Sequence, residues 1–392
     1  MRSPGDTGAR AAIRALPASR IRLIANAALG RPDVLPFWFG ESDEVTPEPV
    51  RAAAVAALNA GRTFYTHNRG EPALRDALAG YLTKLHRREF APETILVTSS
   101  GISALMITMQ ALLEPGERVL IPAPTWPGLS EIPTILGARV ETVPLTPSAT
   151  GWTLDIDLLI AAITPDTRLL VLNSPNNPTG WVLDPHHRAP ILERCRQTGT
   201  WIICDDVYER LSIDSSTDCA PSFLPLISAE DRVISVNSFS KAWLMTGWRL
   251  GWIVAPRSIA DDLGKLIEFN TSCAPAFVQA GALAALAEDP DHFRERRARL
   301  QRAADQLIEG LSSLPGLLVP RPFGGLYVFL RIMGEDDSVA TALRLIDEAN
   351  LGLAPGSAFG AAGEGWLRWC FAARPERLAL GLEQFSRWLA RR

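Results

Sequence analysis

The sequence predicts an α/β protein, with a mostly parallel, doubly wound sheet in a large domain and a smaller α+β domain attached to it. Three observations carry this. Five short apolar runs, at 94–98, 118–122, 168–172, 201–204 and 233–236, have the length and unbroken hydrophobicity of strands buried on both faces. Helix-length segments such as 103–113 and 188–198 lie between most of them, the alternation of an open sheet covered on both sides. At 392 residues the chain exceeds what one hydrophobic core ordinarily organises, so a second lobe is expected.

Taken in order, residues 1–45 read as an N-terminal arm that joins the small domain. The stretch 1–28 is rich in Arg and Ala like a targeting segment, but Pro4, Asp6 and Pro17 interrupt it and no long apolar core follows. It therefore reads as part of the mature chain. Residues 46–288 contain all five strand-like runs and form the large domain. From about Asp289 the pattern changes to a long Arg-rich helix at 293–311, a strand at 325–330, a helix at 339–348 and a C-terminal helix. Residues 289–392 are thus the small domain.

Composition narrows the function classes. With 47% hydrophobic and 21% charged residues and a net charge of −4, this is an ordinary soluble protein with no electrostatic reason to bind nucleic acid or an anionic membrane. No stretch is long enough to span a bilayer. The five cysteines, Cys195, Cys204, Cys219, Cys273 and Cys370, are odd in number and form no C-x-x-C pair, which argues against a disulfide framework or a zinc site and for a reducing cytoplasm. His186 and His187 sit in a proline-flanked loop and read as solvated, so no metal is expected.

In an open α/β sheet, ligands bind beyond the carboxyl ends of the strands. The groups found there are informative. Ser99-Ser-Gly-Ile102 follows a strand and opens a helix, whose N-terminal N–H groups suit a phosphate; Ser and Gly also make ordinary helix starts. Asn173 to Gly180 is a turn cluster. Asp205 and Asp206 end the next strand, as metal ligands, a general base or a solvated loop. Lysine occurs only at 84, 241 and 265, whereas Lys and Arg together total 39. A desolvated lysine can lose its proton and form a Schiff base, which arginine cannot. Lys84 and Lys265 fall on helical surface patterns; Lys241 follows a strand and a hydroxyl-rich turn. A phosphate cradle, a carboxylate, the Tyr208 phenol and an amine on one sheet edge suit pyridoxal 5'-phosphate.

These residues give the chain a clear resemblance to the fold-type I pyridoxal-phosphate aminotransferases of class I/II, the group that includes aspartate aminotransferase. It runs from about Leu16 to the C-terminus. It rests on the joint order of Phe39-Gly-Glu-Ser-Asp43, Tyr65-Thr66, Pro124-Thr-Trp126, Asn177-Pro-Thr-Gly180, Asp205-Asp-Val-Tyr208, Ser238-Phe-Ser-Lys241, Gly247-Trp-Arg249, Pro355-Gly-Ser-Ala-Phe359 and Leu367-Arg368.

The resemblance implies an aspartate aminotransferase-like fold and a ping-pong transfer of an amino group from an L-amino acid to a 2-oxo acid. It implies that Lys241 holds the cofactor as an aldimine and shuttles the proton. Asp205 pairs with the pyridine nitrogen, Asn177 and Tyr208 hydrogen-bond the phenolate oxygen, and Trp126 stacks on the ring. Ser100, Gly101, Ile102, Ser238 and Arg249 bind the phosphate, with Tyr65 reaching the phosphate of a neighbouring subunit in a homodimer with shared sites. Gly40, Asn177 and Arg368 bind substrate, Arg368 as a bidentate clamp on the α-carboxylate.

Some positions depart from the family's patterns. Ile102 stands where one bacterial aspartate aminotransferase group has a lysine for the distal carboxylate, which points to a neutral donor. Arg20, Arg22 or an arginine of a partner subunit would be the replacement cation. Ser100 stands where many relatives have Gly or Ala and would add a hydroxyl to the phosphate site. Trp38 and Phe39 line a substrate pocket or lie in the core beneath it. The same fold also supports lyases and decarboxylases, the alternative reading. A cofactor-sensing regulator would carry an added DNA-binding domain, and fewer than about 40 residues precede the Gly40 region.

Overall fold

The computed structural model describes residues 8–213, 217–288 and 290–392. Pro4, Asp6 and Asp289 therefore lie outside the described residues. An eight-stranded sheet dominates, in the spatial order Ile95–Thr98, Gly251–Val254, Val233–Ser238, Trp201–Asp205, Thr167–Asn173, Arg118–Ala123, Arg139–Ser148 and Gly151–Leu154. The strands from 233–238 through 139–148 run parallel. Gly251–Val254 runs antiparallel between two neighbours, and Gly151–Leu154 closes an antiparallel hairpin at the other edge.

The five predicted strands form with small changes at their ends. Their side chains alternate between two cores, as a pleated strand requires. Leu169, Val171, Ile203, Ile234 and Val236 pack on one side with Ile107 and Leu263 from the helices Gly101–Leu112 and Arg257–Thr271. Leu170, Leu172, Ile202 and Cys204 point to the other side, against Ile191 and Leu192 of the helix Arg188–Thr198. The sequence reading missed Gly251–Val254 because its four residues directly follow a turn. It also missed Arg139–Ser148, whose two prolines and exposed alternate residues mark a strand near the sheet edge.

A four-stranded antiparallel sheet is built from Leu317–Leu318, Tyr327–Ile332, Trp366–Cys370 and Ala354–Pro355. The strand predicted at 325–330 is displaced to Tyr327–Ile332, because Gly325 has φ +81° and still belongs to the preceding turn. The helices Pro290–Ser312, Ser338–Ala349 and Pro375–Leu389 accompany this sheet. Leu35–Pro36 pairs in parallel with Leu351–Gly352, which ties the N-terminal segment to the C-terminal part of the chain. Among the described residues no helix is long and apolar enough to cross a membrane.

Register sets the site. Asn173 lies opposite Asp205, and Asp205 opposite Val236, so three parallel strands end side by side. Arg368, paired with Phe329 in the small sheet, faces that edge and donates to Asn177.

Candidate active site

A cavity of about 330 Å³ opens at the strand ends between the two sheets. Lys241 enters it from the turn after Val233–Ser238, and its Nζ donates to the Gly40 carbonyl oxygen. Burial lowers the amine to about 8; Arg368 and Arg249 push the same way, while Cys370 and Glu41 oppose them. A lysine in this state supplies neutral amine near neutral pH. Gly40 is a close approach that no side chain permits, since a Cβ there would lie 1.8 Å from the Tyr327 hydroxyl oxygen.

Asp205 faces the same cavity. Its carboxyl is buried and pushed up to about 7 by that burial, against weak help from the Val207 N–H and from Lys241. Asn173 Nδ2 holds the Asp205 carbonyl at 3.0 Å and fixes the strand end. Asp206, one residue on, does not line the cavity: its carboxylate accepts from Ser235 Oγ at 2.5 Å, and burial beside Glu209 also raises its pKa.

Asn177 and Tyr208 form the next wall. The Asn173 side-chain oxygen accepts from the Asn177 N–H at 2.8 Å, and the Asn177 Oδ1 accepts from Arg368 Nη1 at 2.8 Å. Arg368 also donates to the Trp38 carbonyl and lies 4.2 Å from the centre of the Tyr327 ring and 4.8 Å from that of Phe359. Its buried Nε has no hydrogen-bond partner. The Tyr208 and Tyr327 hydroxyls are 2.6 Å apart.

At the other end of the cavity the helix Gly101–Leu112 presents its N-terminus, with Ser238, Ser240, Thr246 and Arg249 around it. Arg249 adopts φ +55° and donates to the Thr246 carbonyl at 2.7 Å. The backbones are as close as they can be. A Cβ on Gly251 would come within 2.7 Å of both Asn237 O and Gly101 N, and one on Gly101 would come within 3.1 Å of the Ser238 Cβ. N–H groups at a helix start, three hydroxyls and a guanidinium are the kind of donors that could hold a dianion.

Most residues singled out in the sequence meet here: Gly40, Gly101, Ile102, Trp126, Asn177, Asp205, Tyr208, Ser238, Lys241, Arg249 and Arg368 all line the cavity. Ser100 does not line it. Its hydroxyl oxygen caps the helix by accepting from Ser103 N at 3.0 Å, so the expected extra phosphate ligand is a helix cap instead. Tyr65 also stands away from the cavity of its own chain and is 88% exposed. Trp38 belongs to the core, against Gly352, while Phe39 lines the cavity. Lys84 is exposed, and Lys265 pairs with Asp262 on the surface. Sequence reasoning missed Asn173, Ser240, Thr246, Tyr327 and Ile21. Of these, Ser240 and Asn173 fall in the turns expected after two strands, and Tyr327 in the strand expected at 325–330.

Pyridoxal phosphate makes three demands that can be tested on this donor set: an amine, an anion for the ring nitrogen and a cradle for the phosphate. The residues fit. Lys241 offers the amine, Asp205 a buried carboxyl without an ion pair among the described residues, and the Gly101 helix start a cradle whose backbone packs too closely on Gly251 to admit a Cβ there.

The model of the family described as aminotransferase class I and II matches residues 33–382. An aspartate aminotransferase from Musicola paradisiaca is 33% identical over 350 residues, 88% of this chain and 87% of that protein. An arginine–pyruvate transaminase from Pseudomonas aeruginosa is 34% identical over 348 residues, 88% of this chain and 87% of that one. The crystal structure of aspartate aminotransferase from Thermotoga maritima superimposes with a TM-score of 0.89 at 30% identity, covering 97% of this chain and all of its own.

Proposed function

We infer the function from one premise: the chain belongs to the class I and II aminotransferases. It moves an amino group from an L-amino acid to a 2-oxo acid in a ping-pong cycle, with pyridoxal phosphate held covalently by Lys241. The observation that carries this reading is the meeting of Lys241, Asp205, Asn177 and Arg368 around one cavity.

When bound, pyridoxal phosphate supplies an electron sink for the pair released as the substrate Cα–H bond breaks. Asp205 keeps the ring nitrogen protonated by giving it a buried counter-charge. Asn177 and Tyr208 hydrogen-bond the ring oxygen, and Trp126 covers one ring face. The Gly101 helix start, Ser238 and Arg249 hold the phosphate. Arg368 turns its guanidinium to the substrate α-carboxylate, which fixes Cα beside Lys241. The Lys241 amine, which burial lowers to about 8, would be the base placed to take the Cα proton and to hand it on when the cofactor is bound.

The donor is a neutral amino acid, aliphatic or aromatic, and a 2-oxo acid such as 2-oxoglutarate or pyruvate accepts the amino group. Ile21, Phe39 and Ile102 support this, because they add apolar surface to the lining of the cavity. Arg20 is engaged by Ser357 O at 3.3 Å and Glu364 at 3.7 Å, and Arg22 lies 4.9 Å over the Phe39 ring on the exposed side. A distal carboxylate buried against that apolar surface without a partner costs roughly several kcal/mol. Relatives 33% and 34% identical act on aspartate and on arginine by name, so identity alone does not choose the donor.

The working unit is a homodimer. Phe64, Tyr65 and Phe269 are 84%, 88% and 89% exposed, an apolar surface that a second copy would cover while Tyr65 reached the neighbour's phosphate. Residues 46–288 act as the cofactor-binding domain, with 1–45 and 289–392 as the smaller one, and five cysteines without a disulfide suit the cytoplasm. The test mixes cofactor-loaded protein with leucine, phenylalanine or aspartate and follows the absorbance of the lysine-bound cofactor. Leucine or phenylalanine should convert it fastest and yield the 2-oxo acid. Aspartate faster by about tenfold, ~1.4 kcal/mol in barrier, overturns the neutral donor. Ammonia and pyruvate from a β-substituted amino acid, with no need for an acceptor, overturn the transfer reaction.

A further inference from the structure

A cavity of about 730 Å³ that the catalytic reading leaves unused lies where the helices Pro72–His86, Ala276–Leu286 and Pro290–Ser312 meet. One wall is aromatic. Tyr81 and Trp243 have ring centres 5.6 Å apart, and Trp243 and Phe293 have theirs 6.0 Å apart, with Leu283 and Leu286 beside them.

Cations outnumber carboxylates on this lining: Lys84, Arg210, Arg294 and Arg297 stand against Asp218 and Glu288. Arg294 is paired with Asp291, and Glu288 with Arg296. Arg210 and Lys84 form no ion pair among the described residues, and Asp218, the remaining carboxylate on the lining, pairs with neither. The Arg210 guanidinium lies 4.1 Å over the Phe293 ring and 5.7 Å from the Tyr81 ring, and its Nε is buried without a hydrogen-bond partner. A guanidinium stacked on a ring face keeps its edge clear of the ring, and its two terminal nitrogens still make the fork that matches a carboxylate. In a chain that keeps only three lysines, Lys84 stands on the same lining.

We propose that this cavity is a second, non-catalytic site for a small aromatic monocarboxylate, whose ring packs on Tyr81, Trp243 and Phe293 and whose carboxylate is taken by Arg210 and Lys84. One negative charge offsets the local excess, and a flat ring uses the wall better than an alkyl chain does. The site touches the catalytic lysine's own turn: Trp243 is two residues beyond Lys241, and Arg296 donates to the Ala242 carbonyl at 2.8 Å. A bound ring is therefore felt by the segment that carries Lys241.

Calorimetry with benzoate as the probe tests this, in the cofactor-loaded Arg368→Gln protein so that carboxylate binding in the active site is removed. Benzoate should bind saturably at one site per chain and quench tryptophan fluorescence, whereas the neutral benzamide should bind at least tenfold more weakly. Adding Arg210→Gln should weaken benzoate at least tenfold, and adding Lys84→Met several-fold; Lys84 is exposed, so that second variant reports even where the first does not fold. No saturable binding in the Arg368→Gln protein overturns the proposal. So does binding that both additional substitutions leave unchanged.

Discussion

Replacing Asp205 by asparagine should make the cofactor-free protein more stable. The carboxyl is buried without an ion pair among the described residues, and burial outweighs the Lys241 amine and pushes its pKa up to about 7, against about 3.9 in an unfolded chain. The folded protein holds this proton more tightly than the unfolded chain does. Its contribution to stability is therefore complete below about pH 4 and is lost as the pH rises through about 7. Each tenfold change in proton affinity is about 1.4 kcal/mol, so holding the ionised carboxylate costs the fold about 4 kcal/mol at pH 8. Asparagine has the same shape and no charge to desolvate. In urea unfolding of cofactor-stripped protein, the advantage of Asp205→Asn over the parent should grow by about 2–3 kcal/mol between pH 5 and pH 8. Asp206, Glu209 and His86 are present in both proteins and cancel to first order. With the cofactor added the order reverses, because only the parent can meet the pyridinium charge, and its affinity should exceed the variant's by about a hundredfold. An advantage that stays flat from pH 5 to pH 8, or a variant less stable at pH 8, refutes the argument that burial without a partner governs this carboxyl.

Asp206→Asn should keep kcat within about tenfold of the parent, while Asp205→Asn loses two or more orders of magnitude; equal losses in a steady-state assay would mean that the wrong carboxylate has been assigned. Gly251→Ala forces a methyl against Asn237 O and Gly101 N, so cofactor affinity measured by fluorescence should fall at least tenfold and the fold should lose about 1–3 kcal/mol. A variant that binds normally would show that the phosphate lies elsewhere. Mixed dimers of Lys241→Ala and Tyr65→Ala chains should regain part of the activity that each lacks alone, since one site in each hybrid carries neither lesion. No recovery despite demonstrated subunit exchange contradicts shared sites.

The parts of the site that could be read from the sequence were those fixed by local order. Lys241 and Asp205 each follow an apolar run, and a parallel sheet leaves such positions at one edge whatever the rest of the chain does. Tyr327 lay beyond that reach. It stands on the small sheet, and only the packing of two sheets brings its hydroxyl under Gly40 and beside Tyr208. The same limit left Trp38 and Phe39 undecided: alternation says that neighbours point opposite ways, but not which way is the cavity. Ser100 shows a competing demand, since a helix start needs its own cap and the hydroxyl oxygen there accepts from Ser103 N. The strand Gly251–Val254 is too short to show a period, yet its first glycine is what lets its backbone approach Asn237 and Gly101 at the proposed phosphate site.

The central claim is that Lys241, alone of three lysines, carries the cofactor. The most direct test is borohydride reduction of the cofactor-loaded protein followed by digestion and peptide mapping. One pyridoxyl group per chain should be found on Lys241. A label on Lys84 or Lys265, or no covalent label at all, contradicts the account.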